Sequence, residues 1–103
     1  GTLVGQHVTI QAGAKIGNFV SIRAGANIGH DAAVDDFAYI GPNATMSGFS
    51  SLCRGAHMGP NSVLIEFVKA GEFSVIGAGS VATNNIPERQ IVLGVPARNL
   101  PIQ

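Results

Sequence analysis

The sequence predicts an all-β chain built from short extended segments and tight corners, repeated every six residues. Three observations carry that prediction. Every sixth residue from Val4 to Ile76 is Ile, Val, Leu or Met, with Ala70 the one exception. Two places before each stands a second series, from Thr2 and Val8 to Val68 and Ser74, in which every residue is small or β-branched. Fourteen glycines and no tryptophan in 103 residues give a composition suited to many turns. A helix of about 3.6 residues per turn scatters positions six apart around its axis. Extended backbone places residues two apart on one face, so the small residue and the large aliphatic point inward together.

The elements follow in order from that beat. Val4, Ile10, Ile16 and Ile22 open the inward series, and Ile28, Val34, Ile40, Met46, Leu52, Met58, Leu64 and Ile76 continue it with no inserted loop. Glycine follows the aliphatic at Gly5, Gly17, Gly29, Gly41, Gly59, Gly71 and Gly77, which marks the place where the chain is expected to turn. All five phenylalanines, Phe19, Phe37, Phe49, Phe67 and Phe73, fall three places after the inward aliphatic, at the outer corner. After Thr83 the beat stops, and Asn84, Asn85, Pro87, Pro96 and Pro101 read as an irregular arm. The expected organisation is a repeat domain over residues 1–82 and a C-terminal arm over 83–103.

The hexad aliphatic-Gly-x-x-small-x, running over about residues 2 to 82, resembles that of the hexapeptide-repeat acyltransferases. That resemblance implies a left-handed parallel β-helix, in which three hexads close one triangular coil and residues 18 apart stack. Phe19, Phe37 and Phe73 then share one corner, and Phe49 and Phe67 share another. These rings either cap their own turns or bury themselves against another subunit. Two outward aromatic columns on a slender coil favour the second, and the resemblance implies a homotrimer of parallel prisms.

Charge and composition exclude several classes. Six basic residues balance six acidic ones with no basic run, which argues against nucleic-acid and membrane-surface partners. No apolar run approaches the roughly 20 residues of a membrane span. Cys53 is the one cysteine, so no internal disulfide or multi-cysteine zinc site is expected, and a reducing, cytoplasmic setting fits. It lies just after inward Leu52 and reads as a structural thiol. The first methionine is Met46, so the chain reads as a fragment or a processed product.

Three histidines occupy different slots. His7 reads as an exposed turn residue. His57 stands outward, stacked over Tyr39, where it either lines a groove between subunits or is simply solvated. His30 follows Ile28-Gly29 at a corner and precedes Asp31, which puts an imidazole and a carboxylate together outside the core. A solvated polar corner is the alternative there. Eighteen residues on is Gly48, whose lack of a side chain is expected to leave space for an acyl group and a free N–H for an oxyanion. Tyr39 is expected to bring a hydroxyl to the same groove. A base beside such a site is what acyl transfer needs.

The strings Ile28-Gly29-His30-Asp31, Asp36-Phe37-Ala38-Tyr39-Ile40 and Ser47-Gly48 resemble the acetyltransferases of bacterial sialic-acid and nucleotide-aminosugar pathways. The resemblance implies His30 as general base, Asp31 as its acidic partner and Gly48 as the amide facing the thioester. Tyr39 stands where those enzymes commonly carry a second histidine near the acetyl group, which is a departure. Ile76-Gly77-Ala78-Gly79-Ser80-Val81 and Gly94-Val95-Pro96-Ala97-Arg98 resemble the family's closing motifs, where backbone groups hold coenzyme A. Pro60, Gly77 and Ala78 are then expected along the cofactor path, and Arg98 at a cofactor phosphate.

The function implied is transfer of acetyl from acetyl-CoA, as co-substrate, to an amine or hydroxyl of a small-molecule sugar or nucleotide-sugar, with no metal required. Such relatives usually carry a nucleotide-sugar-binding domain ahead of the β-helix. Here the first hexad begins almost at residue 1, so either that domain was removed or the acceptor binds only in the groove between coils. Two other classes are weighed. A non-catalytic β-helix scaffold keeps the coil and loses the chemistry. A zinc hydratase like the γ-type carbonic anhydrases needs three histidines converging across a subunit boundary, and His7, His30 and His57 occupy unrelated slots.

Overall fold

The structure, a computed structural model, describes residues 1–100; Pro101 of the expected arm lies outside them. Two-residue strands follow one another at six-residue steps and form three sheets around a common axis. The first face stacks Leu3–Val4, Ser21–Ile22, Tyr39–Ile40, His57–Met58 and Val75–Ile76. The second stacks Thr9–Ile10, Asn27–Ile28, Thr45–Met46, Val63–Leu64 and Val81–Ala82. The third stacks Lys15–Ile16, Ala33–Val34, Ser51–Leu52 and Lys69–Ala70. Pairing is parallel, with Val4 on Ile22, Ile10 on Ile28 and Ile16 on Val34. The result is a parallel β-helix of triangular section, 37 × 22 × 21 Å.

Both inward series are where the sequence puts them. From Ile22 to Ile76 the aliphatic column is buried, and so are the small residues between, from Val20 through Ala26, Ala32 and Ala38 to Ser74. The serines in that column are compatible with burial because each hydroxyl finds a carbonyl. Ser50, Ser62 and Ser74 donate to the carbonyls of Ser47, Gly59 and Gly71 at 2.7 Å. Val4 and Ile10 stay half exposed at the N-terminal end of the prism, where a coil packs on one side of them.

The corners correct one expectation. The glycine after the aliphatic does not supply a left-handed turn; it lets neighbouring coils touch. A Cβ on Gly29 would lie 2.7 Å from the Met46 carbonyl oxygen, and one on Gly59 would lie 2.7 Å from the Ala78 nitrogen. The left-handed residue comes two places later, in the slot that holds the phenylalanines. Phe19, Phe37, Phe49, Phe67 and Phe73 share that conformation with His7, Asp31, Asn43 and Asn61, at φ between 56 and 64°. From Asp31 onward each such corner closes by a bond to the coil before, as when Phe49 N–H donates to the His30 carbonyl at 3.0 Å.

The coil also outlasts its expected end. Ile86 stacks on Ala70, and Val92 stacks on Ile76 within the strand Ile91–Leu93, with both side chains buried. These pairings fall two residues short of the spacing below them, because the corner after Ala82 is shorter. From there the beat resumes, with Arg89 left-handed at φ 61° three places after Ile86. Loss of the beat after residue 82 is therefore a shift of register, and the segment to Leu93 is coil, not irregular arm. The chain then turns at Gly94 and returns as Arg98–Asn99, antiparallel to Val92–Leu93.

The core makes a direct prediction. Ile28→Ala should cost about 2–5 kcal/mol in urea unfolding, through lost burial and the cavity left. Asn27→Ala, one residue away on the exposed side, should cost well under that; equal losses would mean the inward register is misassigned.

Candidate active site

The corner between the second and third faces carries His30, Asp31 and Gly48. The backbone is pinned first. His30 N–H donates to the Gln11 side-chain oxygen at 3.0 Å, and Asp31 N–H donates to the Ala12 carbonyl at 3.1 Å. Asp31 takes the left-handed slot, φ 57°, which turns its carboxylate back toward the preceding side chain. Imidazole Nδ1 lies 3.5 Å from Asp31 Oδ2, and both side chains are half exposed. That distance is an ion-pair contact when the ring is protonated, and it orients Nδ1 toward the acid.

Gly48 stands directly above His30 in the next coil, and its lack of a side chain is used by the imidazole itself. A Cβ there would fall 2.5 Å from Nε2 and 2.6 Å from Cε1. The expected open space is thus the seat of the ring. Gly48 is buried, and among the described residues its N–H has no acceptor. Beside the ring stands Phe49, centroids 5.1 Å apart and planes at 86°, and Phe67 stacks flat on Phe49 at 5.1 Å and 3°. Sequence reasoning placed both rings at this corner but missed the contact with His30. The signal was available: position 49 lies directly above Asp31 in the column.

The remaining expected residues stand elsewhere on the prism. Tyr39 projects from the first face and stacks on His57, centroids 4.4 Å apart and planes at 14°. That face lies across the triangular section from the His30 corner, so within one chain Tyr39 does not share its groove. Pro60, Gly77 and Ala78 line the corner between the first and second faces, where the coils approach closely at Gly59 and Ala78. Arg98 lies on the terminal antiparallel strand, exposed, with its guanidinium donating to the Ala97 carbonyl at 3.1 Å. It borders a cavity of about 400 Å³ at the C-terminal end, together with Ala82, Asn84, Asn85 and Val92. His7 and His30 stand at different corners, and His57 stands on the first face. Among the described residues no three His, Cys, Asp or Glu side chains gather as a metal site, and no helix is long and apolar enough to cross a membrane.

No protein-family model matches the chain. Over 45 residues it is 44% identical to dTDP-3-amino-3,6-dideoxy-alpha-D-galactopyranose 3-N-acetyltransferase of Aneurinibacillus thermoaerophilus, covering 44% of this chain and 23% of that protein. The perosamine N-acetyltransferase of Caulobacter crescentus, solved with CoA and GDP-perosamine, superposes with a TM-score of 0.92 at 26% identity over 98% of this chain and 51% of that one. WeeI from Acinetobacter baumannii AYE gives a TM-score of 0.94 at 26% identity over 97% and 50%. The chain therefore spans under a quarter of the curated relative and about half of each solved structure. The coil has the left-handed β-helix fold, and the resemblance to hexapeptide-repeat N-acetyltransferases holds in sequence and in structure.

Cys53 yields a prediction that needs no substrate. Burial pushes its thiol up, Lys69 pulls it back down, and Asp35 and Glu72 add to the rise. A raised thiol holds less thiolate at neutral pH, so alkylation by iodoacetamide should be slower than for free cysteine and should climb at higher pH. Lys69→Gln should move that climb higher still. Mass spectrometry of the alkylated fraction against pH checks both shifts, and a thiol as reactive as free cysteine would contradict them.

Proposed function

We propose that the chain carries an acetyl-transfer site, moving acetyl from acetyl-CoA to the amine of a sugar or nucleotide-sugar, with a sugar hydroxyl as the alternative acceptor. The observation that carries this reading is the His30 corner: an imidazole seated over Gly48, paired with Asp31, on a coil that superposes on N-acetyltransferases. Imidazole Nε2 takes a proton from the acceptor as its nitrogen attacks the thioester carbonyl carbon. Asp31 holds the ring with Nδ1 turned toward its carboxylate. The Gly48 N–H, which has no acceptor among the described residues, suits the oxyanion. The tetrahedral intermediate then expels sulfur, and the imidazolium returns the proton so that coenzyme A leaves as the thiol. Named relatives acting on amino sugars favour nitrogen over oxygen as the acceptor atom.

The other expected residues join this reading through assembly. Tyr39 on the first face, and Pro60, Gly77 and Ala78 at its far corner, reach the His30 corner only if a neighbouring copy presents them. Parallel packing as a homotrimer does that, and the exposed rings supply its apolar surface: Phe19, Phe37 and Phe73 on one edge, Phe49 and Phe67 on another. In that arrangement the Tyr39 hydroxyl donates to the acetyl carbonyl, backbone along Pro60, Gly77 and Ala78 holds the pantetheine arm, and Arg98 meets a cofactor phosphate. A cytoplasmic setting supplies acetyl-CoA and keeps Cys53 reduced.

Two measurements test the proposal. With an acceptor found by screening amino sugars and their nucleotide derivatives, His30→Ala should lower turnover about 10²–10⁴-fold while acetyl-CoA affinity changes little. Asp31→Asn should lower it less, and His7→Ala should leave it unchanged; full activity in His30→Ala would remove this corner from the chemistry. Sedimentation equilibrium should give three times the 10.5 kDa chain mass at micromolar concentration, and a stable monomer would remove the neighbouring copy from the site.

A further inference from the structure

We infer that Phe49, backed by Phe67, is a positioning residue that holds the His30 imidazole over Gly48 and against Asp31, a role that rests on His30 being the general base. The first observation is a backbone that works against the side chain. Phe49 sits at φ 59°, and the left-handed conformation costs an L-residue roughly 1–2 kcal/mol, which Gly avoids and Asn and Asp soften. On this same corner the two coils beneath fill the slot with Gly13 and Asp31, and the corner between the first and second faces fills it with His7, Gly25, Asn43, Asn61 and Gly79. The aromatic ring enters this column at the first coil stacked on His30. On the opposite edge the comparable rings have other company: Phe37 lies under the Arg54 guanidinium and Phe73 under that of Arg89.

The second observation is that the half-exposed imidazole has a neighbour on three sides. A half-exposed histidine turns about two side-chain bonds and has no reason to hold one orientation. Asp31 limits it on the Nδ1 side at 3.5 Å, and Gly48 leaves room for a flat ring and nothing more. Phe49 stands against a third side, its plane at 86° to the imidazole in the edge-to-face arrangement that aromatic pairs favour. Phe67, parallel to Phe49 within 3°, keeps that ring from swinging toward the next coil. With the ring fixed, Nδ1 carries the proton toward Asp31, and Nε2 is left bare to accept one. Among the described residues Asp31 is the one ionisable group paired with the ring, and Gln11 touches the residue through its backbone. Phe49 therefore selects the tautomer that can act as a base.

The test reads the tautomer directly, by two-bond ¹⁵N–¹H NMR of the His30 ring in the full chain without substrate. Wild type should show Nδ1–H alone. Phe49→Asn puts there a residue that the same left-handed slot holds at Asn43 and Asn61, so the variant should keep the coil, which circular dichroism checks. Its His30 signals should divide between both tautomers, its kcat should fall about tenfold to 10²-fold, and its KM for acetyl-CoA should stay put. Phe49→Tyr should restore the wild-type signals. Phe19→Asn, which strips a ring from the other edge, should leave them untouched and so separates positioning from assembly. A wild-type ring already divided between tautomers, unchanged signals in Phe49→Asn, or an equal change in Phe19→Asn would each overturn the inference. If no acceptor is acetylated at all, the function falls while the NMR result still decides whether Phe49 orders the ring.

Discussion

Each coil of this molecule lies on the one before it, and its strands are hydrogen-bonded in parallel to strands eighteen residues away, as Val4 is to Ile22 and Ile40 to Met58. Every other feature depends on that ladder. It fixes the rise between coils near ~4.8 Å, so side chains at equivalent places form columns along the axis. The interior has room for one large and one small residue per hexad, which is why Ile28 and Ala26 alternate with Val34 and Ala32. The same rise presses the corner backbones together at Gly29, Gly41 and Gly59 until a Cβ has no place. Outside, it is the distance at which rings stack, as Phe19 does on Phe37 and Tyr39 on His57.

Because the ladder imposes its period on the chain, the period is legible in the chain. Ile22, Ile28 and Ile40 could be placed inside before any coordinate was seen, and the phenylalanines could be assigned to two edges. Ile86 and Val92 escaped because one shortened corner moves both off a count of six, though they occupy the same interior column. The role of the corner glycines was misread for a different reason. A pattern shows where glycine recurs but not whether the backbone needs a left-handed angle or only room, and here the phenylalanines took the angle.

The candidate site was legible where its parts are neighbours in sequence or in a column. His30 and Asp31 adjoin, and Gly48 lies one coil above. Within one chain Tyr39 lies on the face opposite the His30 corner, because a repeat gives height along the axis more readily than the side of the prism on which a residue falls. One chain holds His30 at one corner and the small residues Pro60, Gly77 and Ala78 at another, with a full face between. A reaction that uses both must be assembled from two surfaces, so residues that pack copies together and residues that handle substrate are drawn from one set. Phe49 stands where the two would meet, against His30 and with its own ring exposed.

The reversal at Gly94 has a consequence for how such a molecule can grow. A stack of parallel strands has no inherent stop, since its last edge offers unpaired N–H and C=O groups to any chain that arrives. On the first face that edge is occupied by Arg98–Asn99, running the opposite way. Antiparallel pairing spaces its hydrogen bonds differently from the parallel ladder below, so another prism cannot dock there as a continuation of the coil. Head-to-tail stacking at this end is thereby refused on that face. Repeat duplication can lengthen it only by entering below the short corner after Ala82, in whole coils of eighteen residues that keep all three faces in step.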